Sequence, residues 1–124
     1  MIYLDTHVVI WLADLELHKL SAKQKELLES ESLYISPIVG LELQYLFEIG
    51  RLENPSDSIL GKLKQQIGLS VYDADYAAVV QMATVLAWTR DPFDRLIVAQ
   101  AKLDNTYLLT KDERVLANYA RAVG

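Results

Sequence analysis

Asp5, Glu42, Asp94 and Asp112 are the residues of this sequence best placed to do chemistry. Asp5 closes the run Ile2-Tyr3-Leu4-Asp5-Thr6, and Asp112 follows Leu108-Leu109-Thr110-Lys111. Each acid therefore falls just past a short apolar run that reads as a buried strand. Glu42 shares a helical stripe with Ile38, Leu41, Tyr45, Leu46 and Ile49, and Asp94 shares one with Ile97, Val98 and Ala101. A carboxylate on an inward face must be paired, protonated or bound to a cation, because burying it ionised and alone costs on the order of several kcal/mol. Four carboxylates drawn to one spot repel one another, and a hard divalent cation, Mg²⁺ or Mn²⁺, relieves that repulsion. Such an ion takes oxygen ligands, keeps several waters and completes its shell with phosphate.

Each acid also has a purely structural reading. Asp5 and Asp112 sit where helix N-caps are expected, and Glu42 suits an ion pair with a basic residue of another helix. Asp91-Pro92-Phe93-Asp94 reads as a helix start, with Asp91 as cap, Pro92 at the first helical position and Asp94 in the first turn. Asp91 is assigned mainly to capping, with support of a metal from outside its ligand shell as its other role. Thr6, Ser36 and Thr110 flank strand ends, where a hydroxyl orients a carboxylate, although Ser36 equally caps a helix at Pro37. Arg90, Arg95, Lys111 and Arg114 lie beside the acids as candidate phosphate contacts, with neighbouring acids as their alternative partners. The two histidines, His7 and His18, lack the spacing of a histidine metal site and read as structural.

The elements that must position these residues alternate. Ile2-Tyr3-Leu4, Leu33-Tyr34-Ile35, Leu69-Ser70-Val71-Tyr72 and Tyr107-Leu108-Leu109 look like buried parallel strands. Helical periodicity covers about 6–13, 21–31, 37–51, 57–67, 74–88, 91–104 and 113–122. Alternating strand and helix implies right-handed crossovers and a mostly parallel sheet with helices on both faces. In such sheets ligands bind beyond the carboxyl ends of the strands, where strand order reverses. Asp5 and Asp112 are expected at that edge.

Composition sets the outer bounds. At 124 residues, 52% hydrophobic and 23% charged, with no linker, repeat or low-complexity tract, residues 1–124 read as one globular domain. The longest apolar run, Val8 to Ala13, is far too short to span a bilayer, and no basic segment precedes the first strand, so neither a membrane segment nor a signal peptide is expected and a cytoplasmic location follows. Absence of cysteine removes disulfides, thiolate catalysis and cysteine-ligated metal. Twelve basic against 17 acidic residues give −5, which argues against a general basic surface for nucleic acid. Setting the four acids aside leaves 13 acidic residues against 12 basic ones, so most of the excess negative charge resides in the proposed site.

These segments together resemble the PIN-domain nucleases, and most closely the VapC toxins of type II toxin–antitoxin pairs. The resemblance runs over nearly the whole chain through Tyr3-Leu4-Asp5-Thr6, Ser36-Pro37-Ile38-Val39-Gly40-Leu41-Glu42-Leu43, Asp91-Pro92-Phe93-Asp94-Arg95-Leu96-Ile97-Val98-Ala99-Gln100-Ala101 and Leu109-Thr110-Lys111-Asp112. It implies an α/β fold of three layers, α/β/α, with four or five strands flanked by about seven helices. It also implies Mg²⁺- or Mn²⁺-dependent endoribonuclease activity on tRNA or other structured RNA, with Asp5, Glu42, Asp94 and Asp112 as the acidic quartet and Thr6 supporting the first. Its implied partners are an RNA substrate, a VapB-like antitoxin and a second copy of the chain. Trp11, Tyr45, Phe47 and Trp88 are candidates to line a dimer or antitoxin surface. The chain departs from the family at its end: only Ala122-Val123-Gly124 remain for a fifth strand, so four strands are the firmer expectation.

Two other functions fit less well. An aspartyl-phosphate enzyme of the dehalogenase type needs a second Asp two residues after the nucleophile, where this chain has Thr6-His7. A catalytically silent binding module would be expected to lose at least one costly carboxylate, and all four are present.

Overall fold

The computed structural model describes all 124 residues, Met1–Gly124. The element order is β1 (Ile2–Leu4), α1 (Thr6–Ala13), a 3₁₀ turn (Leu17–Lys19), α2 (Ala22–Ser30), β2 (Leu33–Ile35), α3 (Pro37–Glu48), α4 (Ser56–Ile67), β3 (Ser70–Val71), α5 (Tyr76–Thr84), α6 (Pro92–Leu103), β4 (Tyr107–Leu109), α7 (Glu113–Asn118) and β5 (Ala122–Val123). All strand pairs are parallel, in the order β3-β2-β1-β4-β5. By the right-handed rule for parallel crossovers, this order puts α1–α4 on one face and α5–α7 on the other. Strand order therefore reverses between β1 and β4. Their paired residues Ile2–Tyr107, Tyr3–Leu108 and Leu4–Leu109 bring the start of α1 beside the loop before α7.

The central strands are buried on both sides, which is why they read as apolar runs rather than alternating ones. Ile2, Tyr3, Leu4, Leu108 and Leu109 are at most 1% exposed, and Val8, Val9, Val39, Leu43, Ile97, Val98 and Ala101 pack around them. Capping fixes where the helices begin. Asp5, Ser21, Ser36, Asp75, Asp91 and Asp112 each accept a backbone N–H at the start of a helix. No helix is long and apolar enough to cross a membrane.

Three expectations are corrected. A fifth strand does form: Thr110 N donates to Val123 O and Leu108 N to Arg121 O, each at 3.1 Å. To supply it, α7 ends at Asn118 rather than near 122. The fully buried Gln24 stabilises this short strand, donating from Nε2 to Thr110 O at 3.0 Å and to Val123 O at 2.9 Å. The inward face of α3 is also rotated from the expected stripe. Val39 and Leu43 are buried, whereas Leu41, Tyr45 and Ile49 are about half exposed.

Candidate active site

Asp5 directly follows β1 and caps α1, as its structural reading expects. It is 6% exposed, and both its oxygens are engaged: Oδ1 accepts from Thr6 N at 2.8 Å and Oδ2 from Thr110 Oγ1 at 2.6 Å. Burial pushes its carboxyl up from the ordinary range, while the bonds from Thr110 and Thr6 oppose that rise. Thr110 is fully buried, and its Oγ1 also accepts from Asp112 N at 3.0 Å. One hydroxyl therefore ties the first acid to the loop that carries the last.

Glu42 is partly buried and comes in from α3. Its Oε1 accepts a hydrogen bond from Thr6 Oγ1, so Thr6 serves two acids, one through its backbone and one through its side chain. No basic residue pairs with Glu42; the only ion pairs are the Met1 amino group with Glu31 and Lys19 with Glu16. Burial raises the Glu42 carboxyl, and the charges of Asp5 and Asp91 add to the rise.

Asp91 and Asp112 both cap. Asp91 Oδ1 accepts from Phe93 N at 2.8 Å and Asp94 N at 3.3 Å; Asp112 Oδ1 accepts from Arg114 N at 2.8 Å and Val115 N at 3.2 Å. Each keeps a second oxygen free of these bonds. Asp94, in the first turn of α6, accepts no hydrogen bond at its carboxylate. Its carboxyl is pushed up to about 7, first by burial and then by the charges of Asp91, Asp5, Asp112 and Glu42. Five acids, the expected quartet with Asp91, thus act on one another around Asp94. As arranged, no three of them lie close enough to enclose an ion. The donor set still suits a hard cation, being all oxygen, with one carboxylate wholly unpartnered and destabilised by four like charges.

The remaining expected residues divide. Ser36 is spent on its cap, with Oγ accepting from Ile38 N at 3.4 Å, and makes no bond to an acid. Arg95 is likewise committed: Nε donates to Ala83 O and Nη2 to Thr84 O, both at 3.0 Å, closing the end of α5. Arg90 makes one such bond, to Ala87 O, while Lys111 and Arg114 are exposed and carry no ion pair. His7, read as structural, is exposed beside Asp5 and Glu42, and its positive form lowers both their carboxyls. Trp11 and Trp88 pack against the core, whereas Tyr45 is open to solvent and stacks at 5.8 Å on Phe93. A cavity of about 660 Å³ between α1 and α4 is lined by none of these acids.

Sequence reasoning missed Gln24 and Gln100, the two buried amides. Gln24 announces itself only as the third helical residue of the capping box Ser21-Ala22-Lys23-Gln24. Gln100 shares its helix face with Ile97 and carries no motif of its own.

A five-stranded parallel sheet flanked by helices, with its strand order reversing between β1 and β4, defines the class as an α/β domain. The family model for the PIN domain matches residues 2–122, and the chain belongs to that family. Its fold is similar to that of a chain in VapBC2 from Rickettsia felis bound to a DNA fragment from the promoter, with a TM-score of 0.71 and 21% identity over 100% of this chain and 98% of that one. It is similar to a chain of a toxin–antitoxin complex from Klebsiella pneumoniae, at 0.66 and 16%, covering 100% and 97%. A third likeness is to DNA-bound VapBC from Salmonella typhimurium, at 0.63 and 20%, covering 98% and 93%. No curated protein matches at the sequence level.

Proposed function

We propose that this protein is a Mg²⁺- or Mn²⁺-dependent endoribonuclease, the toxin of a VapC-type toxin–antitoxin pair, cleaving phosphodiester bonds of tRNA or another structured RNA. The observation that carries this reading is the unpartnered Asp94 carboxylate amid Asp5, Glu42, Asp91 and Asp112. Asp5, Asp94 and Asp112 would hold the ion, with Glu42 as a fourth ligand or as a base.

When bound, the cation supplies Lewis acidity and charge neutralisation at a phosphodiester. The chain's own residues do the rest. Thr6 and Thr110 aim Asp5 by bonding both its oxygens. Glu42 keeps Oε2 free of its bond to Thr6 and can take the proton of the attacking water there. Lys111 and Arg114, unpaired at the start of α7, meet the phosphates on either side. With Arg95 committed to α5, they and Arg90 carry the local positive charge against a net −5.

The partners follow the same reading. Complexes of the structural neighbours pair a toxin with an antitoxin, and we extend that pairing to this chain. The exposed row Leu41, Tyr45 and Ile49 on α3 is the surface we assign to a second copy. Cleavage of purified small RNA, required to depend on divalent metal and on Asp94, tests the activity.

A further inference from the structure

Asp94 differs from the other four acids in how it is held. Asp5, Glu42, Asp91 and Asp112 are each fixed by hydrogen bonds to their own carboxylates. Asp94 has none, so its place opposite Asp5 depends on the height and rotation of α6 against β1. Sliding a helix by one residue moves a side chain about 1.5 Å along the axis and turns it about 100°. Arg95 ties α6 to α5 rather than to the sheet. The direct polar tie between α6 and β1 is made by one atom, the hydroxyl of Tyr3.

That hydroxyl links the buried side chains of Tyr3 and Gln100 to the partly buried Asp104. Gln100 Nε2 donates to Tyr3 Oη at 3.1 Å and to Tyr72 O at 3.1 Å, and Tyr3 Oη donates to Asp104 Oδ2 at 2.5 Å. Asp104, the C-cap of α6, lies one turn beyond Gln100, so the two contacts fix both the helix's height and its rotation. Tyr3 lies in β1 two residues before Asp5, and Gln100 follows Asp94 by six in the same helix. Burial, with the bond to Asp104, keeps the phenol protonated and therefore a donor. The tie to Tyr72 O adds the segment after β3, so three parts of the chain meet at Gln100.

We propose that Tyr3, Gln100 and Asp104 are positioning residues that set the register of α6 on β1 and so place Asp94 against Asp5 for cation binding. The inference rests on the metal-site reading above. Its consequence is that metal affinity falls when the clamp is opened, even though no clamp residue belongs to the acidic cluster. Loss of a partner that orients a ligand from outside the coordination shell costs about 10- to 100-fold in metal affinity.

The test compares Tyr3→Phe, which removes one oxygen, with Asp104→Ala and with Asp104→Asn, which keeps an acceptor. Mn²⁺ affinity is measured calorimetrically on purified protein at a temperature where melting curves show each variant folded, and kcat and KM for RNA are measured alongside. The expected result is wild-type affinity for Asp104→Asn and at least about tenfold weaker binding for Tyr3→Phe and Asp104→Ala, with the loss falling on kcat more than on KM. Folded Tyr3→Phe and Asp104→Ala that bind Mn²⁺ within twofold of wild type overturn the clamp and leave the metal site standing. If Tyr3→Phe does not fold, Asp104→Ala decides. A wild-type protein that binds no Mn²⁺ overturns both.

Discussion

Thr110 Oγ1 donates to Asp5 Oδ2 at 2.6 Å across the reversal between β1 and β4, with both residues buried. The same oxygen accepts from Asp112 N. A β-branched residue of nearly the same volume but without the hydroxyl breaks both bonds at once. Thr110→Val is expected to cost about 1–3 kcal/mol, the penalty for leaving buried polar groups unsatisfied, and Thr110→Ser to restore most of it. Chemical denaturation of the three proteins checks this order.

Asp94 gives the protein a pH dependence opposite to that of a salt-bridged acid. Unfolded, this carboxyl loses its proton near 3.8; folded, near 7. Between those values the folded state retains a proton that the unfolded state has released, so stability is highest at the acid end. It falls as pH rises, and the loss from this group is complete above about 7. Without divalent metal, the melting temperature should decline from about pH 4 to pH 7, and Asp94→Asn should flatten that decline. A melting temperature that rises through this window in wild type contradicts the assignment.

Cation binding should reverse the penalty at neutral pH. An ion that binds only the folded state stabilises by RT ln(1 + [M]/Kd), about 2.7 kcal/mol at a hundredfold excess over Kd. Melting with added Mn²⁺ should show this gain in wild type, and chelator should remove it. No shift would favour a silent binding module.

The basic residues should separate by role. Lys111→Ala and Arg114→Ala are expected to weaken RNA binding and flatten its salt dependence with little change in stability. Arg95→Ala should instead lower stability, by about 1–3 kcal/mol, because it uncovers the Ala83 and Thr84 carbonyls. Filter binding at several salt concentrations, with melting curves, distinguishes the two.

Much of this arrangement was legible because its signals are local. Apolar runs marked β1, β2 and β4, and Asp91-Pro92 marked the start of α6, since strand burial and capping act within a few residues. The acids were legible as residues that an inward or strand-end position makes costly. Register and facing were less so. Leu41, Tyr45 and Ile49 are as apolar as Val39 and Leu43, and only packing against α6 and α4 decides which row turns inward. β5 was obscured because its two residues owe their strand geometry to pairing with β4 and to the Gln24 amide, both distant in sequence. The clamp at Tyr3 was hidden for a similar reason: its partners lie 97 and 101 residues away.

The most direct measurement incubates purified, partner-free protein with end-labelled small RNA in Mn²⁺, Mg²⁺ or chelator, beside an Asp94→Asn preparation. The account predicts discrete fragments that require metal, with turnover reduced at least about a hundredfold in the variant, at the upper end of what even an outer-sphere metal partner is worth. Equal cleavage by both proteins, or none by either, would contradict it.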